Sequence, residues 1–342
     1  MLLTSGLVLA AGDGKRMNLD YPKVLAKVLG VPMLSWVLDS VVECGIKNKC
    51  VVTGSYGEKV VDFLKDKNYC CEISIQKERK GTAHAVMSAE NFIRKNLDGD
   101  ILILSGDAPF INSSILNESY CYHKNEKNFV TIISSYVENP HGYGRIVRDK
   151  KGNVESIVEE RDSDEEQKKI KEINSGAYWF NAKFLIDEIG NVGKSAVSGE
   201  FYLTSIISIF IEKNLKVGAF CSKDSSIVLG ANTIEELEML NKIAKAKLIE
   251  YFVSRGVHFP YVDSVFIGKN VEIGEGTTIL SDVSIQPFTK IGKNCVIGPG
   301  AKLYGENIPD NTNLMFNDSN FEKVYFGKDV VDKDTKEINY AF

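Results

Sequence analysis

A six-residue period in the last third of the sequence constrains the fold more than any other feature. An aliphatic side chain recurs at every sixth position, namely at Ile267, Ile273, Ile279, Ile285, Ile291, Ile297 and Leu303. Glycine follows directly at positions 268, 274, 292 and 298. Hexapeptide repeats stack about three to a coil as a parallel β-helix. We therefore expect a linker and a short β-helix of little more than two coils over residues 251–312, with the period broken at residues 306–313.

Residues 1–250 follow another pattern, in which short β-rich runs alternate with helical segments. The predicted strands are residues 6–10, 49–54, 71–76, 100–107 and 129–137. The predicted helices are residues 32–45, 57–67, 81–96 and 232–255. This alternation is typical of βαβ units, so we predict an α/β fold with a mainly parallel, Rossmann-like sheet and helices on both faces. Most of the charge run 159–172 is predicted to be a solvated helix, with its first member, Glu159, set apart.

Length and charge narrow the classes of function. A chain of 342 residues fits two domains better than one, and its net charge of -5 disfavours general binding to nucleic acids or anionic membranes. The seven cysteines show no C-x-x-C pair, which favours a reducing compartment. No apolar run approaches the roughly 20 residues of a membrane span. We expect a cytoplasmic protein with a polar C-terminal tail over residues 313–342.

A glycine-rich turn follows the first predicted strand. Two cationic residues, Arg16 and Lys23, follow Gly12 and Gly14 in the sequence. Pro22 restricts the backbone just before the lysine. Such a turn can bind phosphate through backbone N–H groups, and the cations would neutralise phosphate charge. The glycines are also compatible with an ordinary strand-to-helix turn. Their spacing matches neither the dinucleotide fingerprint nor the P-loop.

Two further residues fit a magnesium site. Asp107 ends a predicted buried strand and is followed by Ala108 and Pro109, and Asn232 precedes an acid-rich helix. Mg²⁺ takes one or two protein oxygens in addition to substrate phosphates, so one carboxylate and one amide suffice. The alternatives are a strand-exit turn or helix cap at Asp107 and an N-cap at Asn232.

Two polar segments complete the pattern. Gln76 offers a donor and an acceptor to a base edge, and Gly81 and Thr82 begin a helix beside it. His84 in that helix is interpreted as structural. Gly142 and Gly144 flank Tyr143 in a segment that is also compatible with a hairpin turn.

Together these segments resemble the uridylyltransferase domain of the GlmU family. The resemblance covers residues 5–250, and its motifs occur in one unbroken order: LAAGDGKRM, PKVL, GTAHAV, GDAPFI, NPHGYGRIVRD, SIVEERD, EINSGAYWF, GEFYLT and VLGANT. The resemblance implies a nucleotidyltransferase domain followed by a left-handed β-helix. It also implies transfer of a uridylyl group from UTP to N-acetylglucosamine-1-phosphate, with Mg²⁺ as cofactor.

The resemblance also implies a role for each matching residue. Arg16 and Lys23 would be the catalytic residues, contacting the phosphates, and Asp107 and Asn232 would hold Mg²⁺. The nucleotide would lie against Leu9, Ala10, Ala11, Gly12, Gln76, Gly81 and Thr82. The sugar would lie among Gly144, Glu159, Asn174, Tyr202 and Thr204.

Two departures from the family pattern leave alternatives for the substrate and the function. Ser105 and Ser205 stand where the family usually has Tyr and Asp, which leaves another sugar-1-phosphate or another NTP as an alternative substrate. A non-catalytic sugar-nucleotide sensor is a second alternative. Because the predicted β-helix is short, we expect no acetyltransferase activity, and the β-helix would serve as a lid or a homo-oligomer contact. No nucleic-acid or membrane partner is expected.

Overall fold

The computed structural model describes residues 4–12, 14–54 and 57–315. They form two compact units. The larger contains the described residues up to Ala26 together with Pro32–Leu237, and the smaller contains Lys27–Val31 and the described residues from Glu238 onward. The boundary thus lies before residue 250, inside a helix. Most of the predicted tail, residues 316–342, lies outside the described residues. Among the described helices, none combines the length and the apolar character needed to cross a membrane.

Short strands and helices alternate through the larger unit, as the sequence pattern predicts. The helices are α1 (Met33–Glu43), α2 (Gly57–Asp66), α3 (Thr82–Met87), α4 (Glu90–Arg94), α5 (Ser113–Asn125), α6 (Ala182–Glu188), α7 (Ile206–Glu212) and α8 (Ile234–Val253). The strands before the repeats are β1 (Thr4–Ala10), β2 (Lys27–Val28), β3 (Val31–Pro32), β4 (Asn48–Thr53), β5 (Glu72–Ile75), β6 (Asp100–Ser105), β7 (Val130–Tyr136), β8 (Arg145–Arg148), β9 (Val154–Val158), β10 (Glu172–Asn181) and β11 (Val217–Ser222).

The central sheet is mainly parallel, as predicted. Its strand order is β11-β7-β10-β6-β1-β4-β5, with β8 and β9 attached through β10. β10 runs antiparallel to its neighbours β6 and β7, and the β8–β10 and β8–β9 pairs are also antiparallel. Alternate residues of β1 enter opposite cores, with Leu7 on one face and Val8 on the other, so the sheet is buried on both sides. The carboxyl ends of β1, β4 and β6 therefore lie side by side at one edge.

Two predicted helices take another form. The pattern at residues 81–96 is divided into α3 and α4, because the Ser88 hydroxyl bonds back to the carbonyl of His84 at 2.8 Å and Ala89 leaves helical geometry with φ −100° and ψ 18°. The prediction of a solvated helix over residues 159–172 is wrong. That run contains two 3₁₀ turns, Glu160–Asp162 and Gln167–Lys169. With no buried side chain in either turn, tertiary packing does not stabilise a longer helix.

The hexapeptide repeats form a parallel β-helix. Its two-residue strands are β12 (Phe266–Ile267), β13 (Glu272–Ile273), β14 (Thr278–Ile279), β15 (Ser284–Ile285), β16 (Lys290–Ile291), β17 (Val296–Ile297), β18 (Lys302–Leu303), β19 (Asn307–Ile308) and β20 (Asn313–Leu314). They make three three-stranded sheets. Ile267 pairs with Ile285 and Ile285 with Leu303, so one coil takes 18 residues. The predicted aliphatic positions are the interior ones; Ile267, Ile279 and Ile285 are fully buried.

The predicted break at residues 306–313 is instead a continuation of the β-helix. β19 and β20 pair with the preceding coil, and Ile308 takes the interior position with an exposed fraction of 7%. The last coil is one residue shorter, since Lys290 pairs with Asn307, 17 residues later. That deletion shifts the sequence period without interrupting the stacking. The described β-helix therefore completes three strands in each sheet and reaches Leu314, beyond the predicted end.

Candidate active site

Lys23 lies against the glycine-rich turn. It begins a 3₁₀ turn, Lys23–Leu25, directly after Pro22. A Cβ added at Gly12 would lie 3.0 Å from Cε of Lys23, and one added at Gly14, where φ is +64°, would lie 2.8 Å from Cβ of Lys23. A side chain at either glycine would crowd Lys23, so the absence of a Cβ at both positions makes room for the lysine side chain.

Lys23, Asp107 and Asn232 converge at the carboxyl edge of the sheet. The Lys23 ammonium forms an ion pair with Oδ2 of Asp107 and donates a 2.7 Å hydrogen bond to Oδ1 of Asn232. Ser105, the last residue of β6, donates a 2.5 Å hydrogen bond to the other Asp107 oxygen, Oδ1. The structure thus brings together one predicted catalytic residue and both predicted metal ligands.

A neighbouring capping box leaves the Asn232 side chain available for this cluster. Thr233 and Glu236 cap α8 reciprocally: the Glu236 N–H donates to the Thr233 hydroxyl at 3.2 Å, and Glu236 Oε2 accepts from the Thr233 N–H at 3.3 Å. The same Oε2 accepts from the Asn232 N–H at 2.5 Å. The predicted alternative of an N-cap at Asn232 is therefore wrong. The pattern Thr-x-x-Glu at residues 233–236 carried the signal for the true cap.

The Asp107 carboxylate is charged although its side chain is largely buried. Burial acts to raise its pKa, but the charge of Lys23 and hydrogen bonds from Lys23 and Ser105 hold the pKa below its ordinary value. A carboxylate and an amide oxygen already directed at one cation are suitable ligands for a hard divalent metal. The described residues contain no group of three or more His, Cys, Asp and Glu side chains that could hold a metal ion. The remaining ligands of a metal at this site would therefore be water molecules or phosphate oxygens.

Gln76, Gly81 and Thr82 lie together beside the strand ends. The Gln76 amide donates to the Gly81 carbonyl at 3.0 Å and lies 3.1 Å from Nδ1 of His84, so the structural role predicted for His84 includes orienting Gln76. The Thr82 hydroxyl accepts a 2.9 Å hydrogen bond from the N–H of Leu203. Gly81 has φ +107°, and a Cβ there would lie 2.8 Å from the N atom of Phe201. Only glycine allows these two segments to approach so closely.

A second cluster joins most of the predicted sugar residues. Thr204 donates a 2.7 Å hydrogen bond to Oε1 of Glu159, and Oε2 of Glu159 lies 3.4 Å from where a Cβ of Gly144 would be. The Gly144 carbonyl accepts from the Asn174 N–H at 2.9 Å. Burial raises the pKa of Glu159, against the lowering effect of the Thr204 hydrogen bond. The cluster therefore presents a carboxyl group, an amide and a hydroxyl with little access to water.

Three residues in this region were missed by the sequence analysis. The Asn174 amide donates to the hydroxyl of buried Tyr178 at 2.6 Å. Arg145, which is 1% exposed, donates a 2.6 Å hydrogen bond to Oε2 of Glu160, and that oxygen also accepts from the Gly142 N–H at 3.0 Å. The arginine and Glu160 thereby hold the segment around Gly142 in place. Glu160 lies in a charge run, which is the pattern most often read as solvated surface.

The remaining predicted site residues belong to neither of the two clusters described above. Leu9 and Ala10 end β1 and Ala11 follows directly; the Leu9 carbonyl accepts from the N–H of Gly106, just after β6, at 2.9 Å. Tyr202 is partly exposed and precedes the 3₁₀ turn Leu203–Ser205. Arg16 is exposed and is not part of the Lys23 cluster. Its role as a catalytic cation stays a prediction.

Comparison with known families identifies the class of protein. The family model described as "Nucleotidyl transferase" matches residues 5–248, and the model for bacterial transferase hexapeptide repeats matches residues 270–305. The chain therefore belongs to the nucleotidyl transferase family and, within it, is of the GlmU type, with hexapeptide repeats after its transferase region.

The relatives are proteins named bifunctional protein GlmU. One, from Caldanaerobacter subterraneus subsp. tengcongensis, is 41% identical over 91% of this chain and 66% of its own length. Another, from Acetivibrio thermocellus, is 37% identical over 98% of this chain and 70% of its own. The chain thus spans about two thirds of the length of these relatives. Among solved structures, a Bacillus anthracis chain assigned as a glucose-1-phosphate thymidylyltransferase, crystallised with a sucrose, shares the fold. Its TM-score is 0.58 at 20% identity, over 70% of this chain and 95% of its own.

Proposed function

We propose that the chain transfers a uridylyl group from UTP to N-acetylglucosamine-1-phosphate, releasing pyrophosphate and forming UDP-N-acetylglucosamine. The observation that supports this most directly is the convergence of Lys23, Asp107 and Asn232 at the carboxyl edge of the sheet. In open α/β sheets this edge is where ligands bind. The similarity to GlmU proteins supports the choice of the uridylyl group and of the N-acetylglucosamine substrate.

The reaction is an in-line displacement at phosphorus. An oxygen of the sugar phosphate attacks the α-phosphorus of UTP, and the bond from that phosphorus to the oxygen of pyrophosphate breaks. The attacking oxygen is already anionic, so no side chain has to remove a proton. The protein has to align the two phosphates and neutralise their charge, which is the role we assign to Lys23, Arg16 and the backbone N–H groups of the glycine-rich turn.

Asp107 and Asn232 would hold the divalent metal, which we propose is Mg²⁺. When bound, that ion would neutralise phosphate charge and help to orient the triphosphate. Ser105 would keep one Asp107 oxygen engaged and so restrict the rotation of the carboxylate.

The second cluster would bind the sugar. The Glu159 carboxylate can accept hydrogen bonds from sugar hydroxyls, and the Asn174 amide can pair with an N-acetyl group. Thr204 and Tyr178 orient these two groups. Leu9 to Gly12, Gln76, Gly81 and Thr82 would line the nucleotide, and Tyr202 would border the sugar.

Pyrophosphate release over a grid of nucleoside triphosphates and sugar-1-phosphates tests the assignment. UTP with N-acetylglucosamine-1-phosphate should be among the best pairs, and Asp107→Ala should abolish turnover. A different preferred pair would favour the alternative substrate that the departures at Ser105 and Ser205 leave open. Unchanged turnover in Asp107→Ala would remove that residue from the mechanism. The hexapeptide repeats would contribute a homo-oligomer contact, and the enzyme would act in the cytoplasm.

A further inference from the structure

The ammonium group of Lys23 occupies the position at which the two proposed metal ligands meet. It forms an ion pair with Oδ2 of Asp107 and a 2.7 Å hydrogen bond with Oδ1 of Asn232. These are the two protein oxygens that the proposed function assigns to the divalent cation. Lys23 and Asp107 are both largely buried, with side-chain exposed fractions of 15% and 14%, so water does not separate the two charges.

We propose that Lys23 and the divalent cation occupy the Asp107–Asn232 pair in alternation. In the metal-free protein the ammonium holds both oxygens, and entry of the metal displaces it toward the glycine-rich turn. The inference rests on the proposed function, because it takes from it the assignment of Asp107 and Asn232 to the metal.

The hydrogen bonding of Asp107 would place the two cations in competition for one oxygen. Its Oδ1 is engaged by the Ser105 hydroxyl at 2.5 Å, so Oδ2 is the carboxylate oxygen that remains for a cation, and Lys23 already contacts it. An ammonium and a divalent ion on the same oxygen would repel each other in a site that contains little water. This repulsion would favour departure of the ammonium when the metal binds.

Hydrogen bonds of the turn hold the backbone at Lys23, whereas its side chain is a flexible four-carbon stem. Pro22 and Lys23 accept hydrogen bonds of 2.9 Å each from the N–H groups of Leu25 and Ala26, which close the 3₁₀ turn. The four-carbon side chain lies along Gly12 and Gly14, whose missing side chains leave it a path. A displaced ammonium would thus remain beside the turn that is proposed to bind phosphate. Metal entry would thereby release a cation for the triphosphate.

Mn²⁺ binding to the protein without nucleotide or sugar, measured by isothermal titration calorimetry, tests the alternation. Lys23→Met keeps the length of the side chain and removes the competing charge, so it should bind Mn²⁺ at least about tenfold more tightly than the wild type. Lys59→Met is the matched control, because Lys59 also pairs with an aspartate, Asp20, but lies outside the cluster. It should bind Mn²⁺ like the wild type. Equal or weaker binding in Lys23→Met would overturn the proposal.

A measurement on the wild type keeps the proposal testable if Lys23→Met does not fold. Acetylation of lysines by a soluble ester, followed by mass spectrometry, should label Lys23 severalfold faster with saturating Mn²⁺ than without it, relative to Lys59. Unchanged or slower labelling would refute the alternation. Neither measurement uses a substrate, so a failed substrate grid leaves both results unaffected. A successful grid likewise does not rescue the alternation.

Discussion

The Thr204 hydroxyl donates a 2.7 Å hydrogen bond to Oε1 of Glu159 and so joins two segments 45 residues apart in the chain. Glu159 is half-buried, and its desolvation raises its pKa despite this bond. Because the folded-state pKa is raised, the free energy of unfolding is highest below the ordinary pKa of the group and falls as the pH rises through the folded value. At neutral pH the protein therefore carries the cost of a partly desolvated carboxylate.

Glu159→Gln should separate stability from sugar binding. A neutral amide removes the cost of the partly desolvated charge, so the melting temperature at pH 7 should be equal to or above that of the wild type. The loss of a charged hydrogen-bond acceptor should raise KM for the sugar phosphate by roughly 10- to 100-fold. Calorimetry and pyrophosphate release measure the two effects. A variant with unchanged KM would place the sugar elsewhere.

Thr233→Ala should weaken the start of α8. The Thr233 hydroxyl accepts the Glu236 N–H, and loss of such a cap costs about 1 kcal/mol of stability. Thr233→Ser, which retains the hydroxyl, is the control and should behave like the wild type in urea denaturation. If the Ala and Ser variants were equally stable, the cap would contribute nothing measurable.

Gly81→Ala should be far more damaging than Gly152→Ala. Both glycines have positive φ, +107° and +85°, so both substitutions carry a backbone cost of at least about 1 kcal/mol. A Cβ at Gly81 would also collide with the backbone of Phe201, whereas nothing lies within 4 Å of a Cβ at Gly152. We expect Gly81→Ala to lose at least about 3 kcal/mol in urea denaturation. Similar losses for the two variants would contradict the close approach of these segments.

Asp100→Asn should destabilise the protein without changing catalysis. Asp100 begins β6, at the end opposite the active site, and accepts hydrogen bonds from Tyr120 at 3.1 Å and Lys124 at 2.9 Å. Burial acts to raise its pKa, but hydrogen bonds with His123 and Lys124 hold it below the ordinary 3.8. Its stabilisation is therefore present above pH 3.8 and is lost as the pH falls through the folded value.

The expected loss at pH 7 is about 2–3 kcal/mol, because one partner of a buried charged network is removed. The difference between Asp100→Asn and the wild type should shrink on acidification toward pH 3, as followed by urea denaturation. Glu138→Gln, which breaks an exposed ion pair with Lys171, is the control and should change stability little. A loss independent of pH would show that the charge of Asp100 is not what stabilises the cluster.

The predictions from sequence succeed where the information is local. The repeating aliphatic positions from Ile267 to Leu303 are the interior of the β-helix, since a period of six places one side chain inward on every face. The predicted strand at residues 100–107 appears as β6, because its apolar run is long enough to be buried on both faces. The prediction for residues 159–172 fails because charge pattern alone does not show whether a helix has a surface to pack against.

The candidate site likewise combines features determined by the sequence with features decided by the tertiary structure. The sequence by itself determined the residue types and their order: a glycine-rich turn with Lys23, an aspartate at a strand end and an asparagine before a helix. Only the tertiary structure decided that Asn232 is released from capping by Thr233 and Glu236, and that Lys23, 209 residues away, takes its amide oxygen. Sequence spacing carries no information about such a contact, since its geometry depends on how the parallel strands bring distant loops to one edge.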